Sequence, residues 1–133
     1  MVIDTSAIFA AIAAEPDHIR YEDAIKNADM RLISAVTALE TQMVLLSRLG
    51  PTAVDRFRDL LTQAAITVVP FDAPLAEAAF QAFRRYGKGR GHPAQLNIVD
   101  CAAYALARAH GFPLLYKGND FAHTDITAAL GPV

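Results

Sequence analysis

Four acids stand out by where they fall in the chain: Asp4 in "MVIDTSAIFA", Glu40 in "VTALE", Asp100 in "NIVDCAAYALA" and Asp120 in "YKGND". Each has a modest local explanation. "TALE" (37–40) fits a capping box, "NIVD" (97–100) is an Asn cap with an acid three residues on, and Asp120 fits a turn. Acids in a first helical turn gain about 0.3–1 kcal/mol from the macrodipole. Asp4 ends an apolar strand and could cap the helix after it, although Ser6 is available for that task one step closer. The capping account fails if the four meet. Two carboxylates about 4 Å apart repel by about 4 kcal/mol at an effective dielectric of 20, whereas a cap returns about 1 kcal/mol. An all-oxygen cluster of this kind needs protons or a cation, and its chemistry suits Mg²⁺ or Mn²⁺.

The elements that would carry these acids alternate. Residues 1–4, 31–34, 66–72 and 112–117 read as short apolar strands. Between them lie predicted helices over 6–14, from Pro16 and Asp17 to Ala28, 36–49, 51–64, from an Asp72 N-cap to Arg85, and 98–110. Gly50 and Gly111 are stops, and Pro51 suits a first helical turn. Strand–helix alternation predicts βαβ units, a parallel sheet and a three-layer α/β/α domain over 1–133. In such sheets the functional crevice lies at the carboxyl ends of the strands, where Asp4 and Asp120 should both project.

Composition narrows the class. The chain has 133 residues, 53% hydrophobic and 20% charged, enough for one globular core. No apolar run approaches the roughly 20 residues of a membrane span, and no basic leader precedes the first strand, so a cytoplasmic protein is expected. The lone Cys101 excludes an internal disulfide and reads as a small packing residue. The histidines 18, 92, 110 and 123 lack zinc-site spacing. A net charge of −2 argues against binding nucleic acid by bulk charge. A local patch is available in Arg84, Arg85, Lys88, Arg90 and Lys117; the "GKGRGH" loop that carries two of these is not a phosphate loop, since its spacing is wrong and no strand precedes it.

"VIDTSAI", the acid Glu40 in the third helix, "GKGRGHPAQLNIVDCAAYALA" and "LLYKGNDFAHTDI" together resemble the PIN-domain ribonucleases, and within them the VapC toxins of toxin–antitoxin pairs. The resemblance covers essentially the whole chain. It implies a PIN-like fold and a four-acid site of Asp4, Glu40, Asp100 and Asp120. Asp125 matches a further, less constant acid, and Thr5 or Ser6 a small hydroxyl residue beside the first. It implies Mg²⁺- or Mn²⁺-dependent cutting of RNA, a VapB-type antitoxin partner and a homodimer. Asp4, Asp100 and Asp120 are then expected to hold the metal, with Glu40 as a ligand or water-orienting base, and Arg85, Lys88, Arg90 and Lys117 to contact RNA. Ile12, Ile19 and Ile25 are open as either core or antitoxin contacts. Two departures are visible: Gly91 is inserted where relatives read "GRHPA", and Val99 replaces a glycine before the third acid.

Two other readings share parts of this pattern. A phosphatase- or receiver-like domain also ends its first strand on an acid, but "VIDTS" lacks the second acid those types want. A scaffold that binds RNA or a partner without cutting would keep the fold and lose the chemistry.

Overall fold

The computed structural model describes residues 1–131, so the last two residues of the expected domain span lie outside the described residues. In chain order the elements are β1 (Val2–Ile3), α1 (Thr5–Ile12), α2 (His18–Asn27), β2 (Leu32–Ser34), α3 (Ala35–Leu49), α4 (Pro51–Gln63), β3 (Thr67–Val69), α5 (Ala73–Tyr86), α6 (Ile98–His110) and β4 (Leu114–Leu115). The strands form one sheet in the order β3-β2-β1-β4, and every pairing is parallel.

Side chains alternate across a strand, and here the alternation sorts the core into two layers. Val2, Leu32 and Leu114 pack with α5 and α6 through Ala82, Tyr86 and Leu106. Their neighbours Ile3, Ile33 and Leu115 face the opposite side, against Ile8, Leu45 and Phe57 of α1, α3 and α4. Ile3, Ile33, Leu114 and Leu115 are fully buried. Each such side chain contributes about 1.5–3 kcal/mol by leaving water. The expected three-layer α/β/α architecture is the one observed.

Several local expectations shift. The cap of α1 is Asp4 itself, which accepts the Ser6 N–H at 3.1 Å, so Ser6 is not the cap. The "TALE" box does not form: α3 starts three residues earlier, capped by Ser34 on Val36, which leaves Thr37 as a fully buried interior residue. The "NIVD" box does form, with Asn97 and Asp100 exchanging both bonds, and Asp72 caps α5 through Leu75. β3 ends before Pro70, which has no N–H to give a ladder. β4 is two residues long. Its partner β1 turns into α1 after Ile3, and the Lys117 N–H goes to Ser6 Oγ at 2.9 Å instead of to a strand. On α3, Leu45 is fully buried while Leu39 and Leu46 are exposed. Ile12 and Ile25 are core; Ile19 is on the surface. In α6 residues 101–107 are core, Val99 is half-buried, and Ile98 and Ala109 are exposed.

Candidate active site

The sheet order decides which acids can meet. β2, β1 and β4 are neighbours, so their carboxyl ends open on one edge. Asp4 follows β1 directly, Glu40 lies in the second turn of the helix that follows β2, and Asp120 is in the turn after β4. The start of α6 supplies Asp100, and α6 packs on β1, β2, β4 and α3.

Asp4 and Asp100 are buried, Glu40 is half-buried and Asp120 is exposed. Burial pushes the Asp4 carboxyl up, opposed by its bonds from Ser6, with the Glu40 charge raising it further. Asp100 is pushed up to about 7, first by burial; the Asn97 N–H bond opposes this, and the charges of Asp4, Asp120 and Glu40 add to it. Asp100 thus feels the charges of the other three acids, and Asp4 that of Glu40.

Two supports hold this edge. Ser6 Oγ donates to Asp4 Oδ2 at 2.6 Å and accepts from the Lys117 backbone, joining the start of α1 to the end of β4. Thr41, next to Glu40, donates to the Thr37 carbonyl oxygen at 2.8 Å and lies 3.1 Å from Thr5 Oγ1, joining α3 to α1. Sequence reasoning missed Thr41, since nothing local in "ALETQ" signals a contact with residue 5. Near it, the buried Thr37 Oγ1 has no hydrogen-bond partner among the described residues.

The basic residues divide into two groups. Lys88 and Arg90 are exposed in a loop whose base is closed by Lys88 N–H to Leu96 O and Leu96 N–H to Tyr86 O, both 2.9 Å. Gly91 takes φ +76° in this loop, in the left-handed region that glycine enters freely. Lys117 instead donates to Glu15 and to Asp17, the latter at 2.9 Å, and these bonds raise its pKa to about 12. Arg85 stacks 4.8 Å over Tyr86 and pairs with Asp125 at 3.5 Å. Asp125 also accepts from Tyr104.

The donor chemistry of the four acids fits a hard divalent cation: every member is a carboxylate, and their mutual repulsion is what such an ion relieves. Among the described residues no three His, Cys, Asp or Glu side chains already stand in a group that could hold an ion.

Residues 1–126 match the family described as the PIN domain. The chain belongs to the PIN-domain family. This PIN domain is 46% identical over 132 residues to Ribonuclease VapC30 of Mycobacterium tuberculosis, an alignment that spans 99% of this chain and 100% of the relative. It is 45% identical over 128 residues to Ribonuclease VapC of Mycolicibacterium smegmatis, spanning 96% and 98%. Within the PIN-domain family it therefore belongs with the VapC ribonucleases. Among solved structures, its fold is similar to that of Mycobacterium tuberculosis VapC20, a Sarcin-Ricin loop cleaving toxin, with a TM-score of 0.78 at 21% identity and 98% of each chain covered. A toxin–antitoxin complex from Klebsiella pneumoniae contains the same fold, with a TM-score of 0.71 at 18% identity over 93% of this PIN domain and 92% of that chain. Among the described residues no helix is long and apolar enough to cross a membrane.

Proposed function

We propose that this PIN domain is a Mg²⁺- or Mn²⁺-dependent endoribonuclease and the toxin of a toxin–antitoxin pair, cutting RNA at the edge where Asp4, Glu40, Asp100 and Asp120 meet. The observation that carries this reading is the placement of Asp4, Glu40 and Asp120 after β1, β2 and β4, which lie side by side, next to a buried Asp100 whose carboxyl burial first and these charges second push up. A protein keeps such a cluster at a cost in stability, and a cation-dependent function accounts for it.

Asp4, Asp100 and Asp120 are the residues that would hold the ion. A bound divalent cation supplies charge neutralisation at a phosphodiester and a more acidic water. The chain does the rest. Asp4 is held by Ser6 and Asp100 by Asn97, so two carboxylates keep their geometry before substrate arrives. Half-buried Glu40 is a further ligand or the base that orients the attacking water. The exposed Lys88 and Arg90 lie on the loop leading into α6 and offset the negative edge for an approaching RNA backbone. The Lys117 charge is already shared between Glu15 and Asp17, which makes it the weakest of the expected RNA contacts.

A partner chain fits the surface of α3. Leu39, Met43 and Leu46 form an i, i+4, i+7 apolar stripe, 58, 59 and 55% exposed. A second copy or a VapB-type antitoxin would cover it, in keeping with the toxin–antitoxin complex that shares the fold.

The test is a cleavage time course on total RNA with Mn²⁺, with EDTA, and with Asp4→Asn. Cutting that requires both the metal and Asp4 is expected. Identical results in all three lanes, with the variant folded, would leave an RNA- or partner-binding scaffold.

A further inference from the structure

A second charged feature lies away from the acids. Arg84 and Arg85 end α5, Arg90 sits in the following loop, and Arg108 is in the last turn of α6. These four arginines line an open groove of about 550 Å³ together with Tyr86 and Tyr104. Among the described residues, Asp125 is the only carboxylate paired with them. It stands 3.5 Å from Arg85 and 3.9 Å from Arg108, and it also accepts the Tyr104 hydroxyl. The two arginines remain 65% and 58% exposed.

Two guanidinium groups and a phenol converging on one carboxylate form a donor set for an oxyanion. Arginine forks match phosphate oxygens as well as carboxylate oxygens. Repulsion among four clustered cations favours a polyanion over a single small ion. None of the four acids lines the groove, but α6 relates the two places. Asp100, Tyr104 and Arg108 follow one another at i, i+4 and i+8 on α6, so Tyr104 lies about 6 Å and Arg108 about 12 Å along the axis from Asp100. A strand lying at the acids reaches this groove one to two helical turns later.

We propose that the groove of Arg84, Arg85, Arg90 and Arg108 is a second RNA-backbone site that holds the strand flanking the cleaved bond, and that Asp125 occupies the place of a phosphate until RNA displaces it. This rests on the nuclease reading above for the choice of RNA as the polyanion. Asp125 then acts as a built-in competitor. It keeps Arg85 and Arg108 ordered in the free protein and sets a threshold that only a strand with several phosphates overcomes.

The test is fluorescence anisotropy of a labelled single-stranded RNA over a range of salt, in the Asp4→Asn background so that nothing is cut. Arg108→Gln and Arg85→Gln should each weaken binding about three- to tenfold and flatten the log–log salt slope by about 0.7. Asp125→Asn keeps an acceptor for Tyr104 but frees both arginines, and it should tighten binding. Arg56→Gln on α4 makes the same net-charge change away from the groove and should leave both readouts near the parent values. The proposal is overturned if Arg108→Gln behaves like Arg56→Gln, or if a folded Asp125→Asn binds more weakly. A poly-glutamate peptide that displaces the RNA at equal charge would overturn it in favour of an acidic protein segment. With Asp4 restored, Arg108→Gln should raise KM for cleavage and leave kcat unchanged. A parent protein that cuts no RNA, yet binds it with the Arg108 dependence above, would leave the groove standing and remove the nuclease reading. Cleavage that is indifferent to Arg108 would remove the groove alone.

Discussion

The Ser6 hydroxyl donates to Asp4 Oδ2 at 2.6 Å while accepting the Lys117 backbone N–H at 2.9 Å. One side chain thus fixes the buried acid at the end of β1 and ties down the segment that leads from β4 to Asp120. Ser6→Ala removes the bond to Asp4 and leaves the Lys117 N–H without its acceptor. A loss of about 1–3 kcal/mol is expected in urea unfolding. Cleavage should fall further than stability explains, and Ser6→Thr should restore part of it.

The acid cluster should make the metal-free protein less stable as pH rises. The Asp100 carboxyl sits at about 7 in the folded chain against 3.8 ordinarily, and Asp4 is raised as well. Between those values the folded state binds more protons than the unfolded state. The contribution of Asp100 to stability is therefore greatest below about pH 4, falls through the window up to about 7 and then levels off, and Asp4 acts in the same direction. Each tenfold difference in proton affinity between the folded and unfolded chain contributes about 1.4 kcal/mol to that fall. Urea midpoints at the two ends of this window check the slope. Asp100→Asn should flatten it, stabilise the metal-free protein above neutrality and abolish cleavage. Mg²⁺ should raise the midpoint of the parent above neutrality and leave that of Asp100→Asn nearly unmoved.

Gly87 closes α5 where no side chain fits. A Cβ there would lie 2.4 Å from Phe83 Cδ1 and 2.5 Å from the Phe83 carbonyl oxygen. Gly87→Ala must therefore shift the base of the loop that carries Lys88 and Arg90. A destabilisation of about 1–3 kcal/mol in urea unfolding is expected, with weaker RNA binding by the folded fraction in an anisotropy titration.

Lys117 and Arg90 should separate in an RNA-binding assay. The Lys117 ammonium already holds Glu15 and Asp17, whereas Arg90 has no ion pair among the described residues. Arg90→Gln should weaken binding and reduce its salt dependence. Lys117→Met should leave affinity near the parent value and cost up to about 1 kcal/mol of stability, since the pair is partly solvated.

Much of the fold is legible in the chain itself. The Asn97–Asp100 capping box and the Asp72 cap are contacts across three residues, so spacing alone reveals them. Every predicted strand and helix has an observed counterpart, with shifted ends. The failures came where two local solutions competed. "TALE" and Ser6 both offered good caps, but Ser34 and Asp4 took those roles, because the parallel sheet fixes where each strand ends and its helix begins.

The sequence by itself determined the parallel α/β layering, because apolar periodicity and helix stops depend on near neighbours, whereas the four acids were singled out by the family resemblance. Only the tertiary structure decided their company. Asp4, Glu40, Asp100 and Asp120 share an edge because β2, β1 and β4 lie side by side, an order that strands of two or three apolar residues do not encode. The same holds for Lys117 and Glu15, 102 residues apart, and for Tyr104 and Asp125, separated by 21. Those pairings were decided by which segments packing brought together, since charges attract any opposite partner within reach and residue type alone does not choose among them.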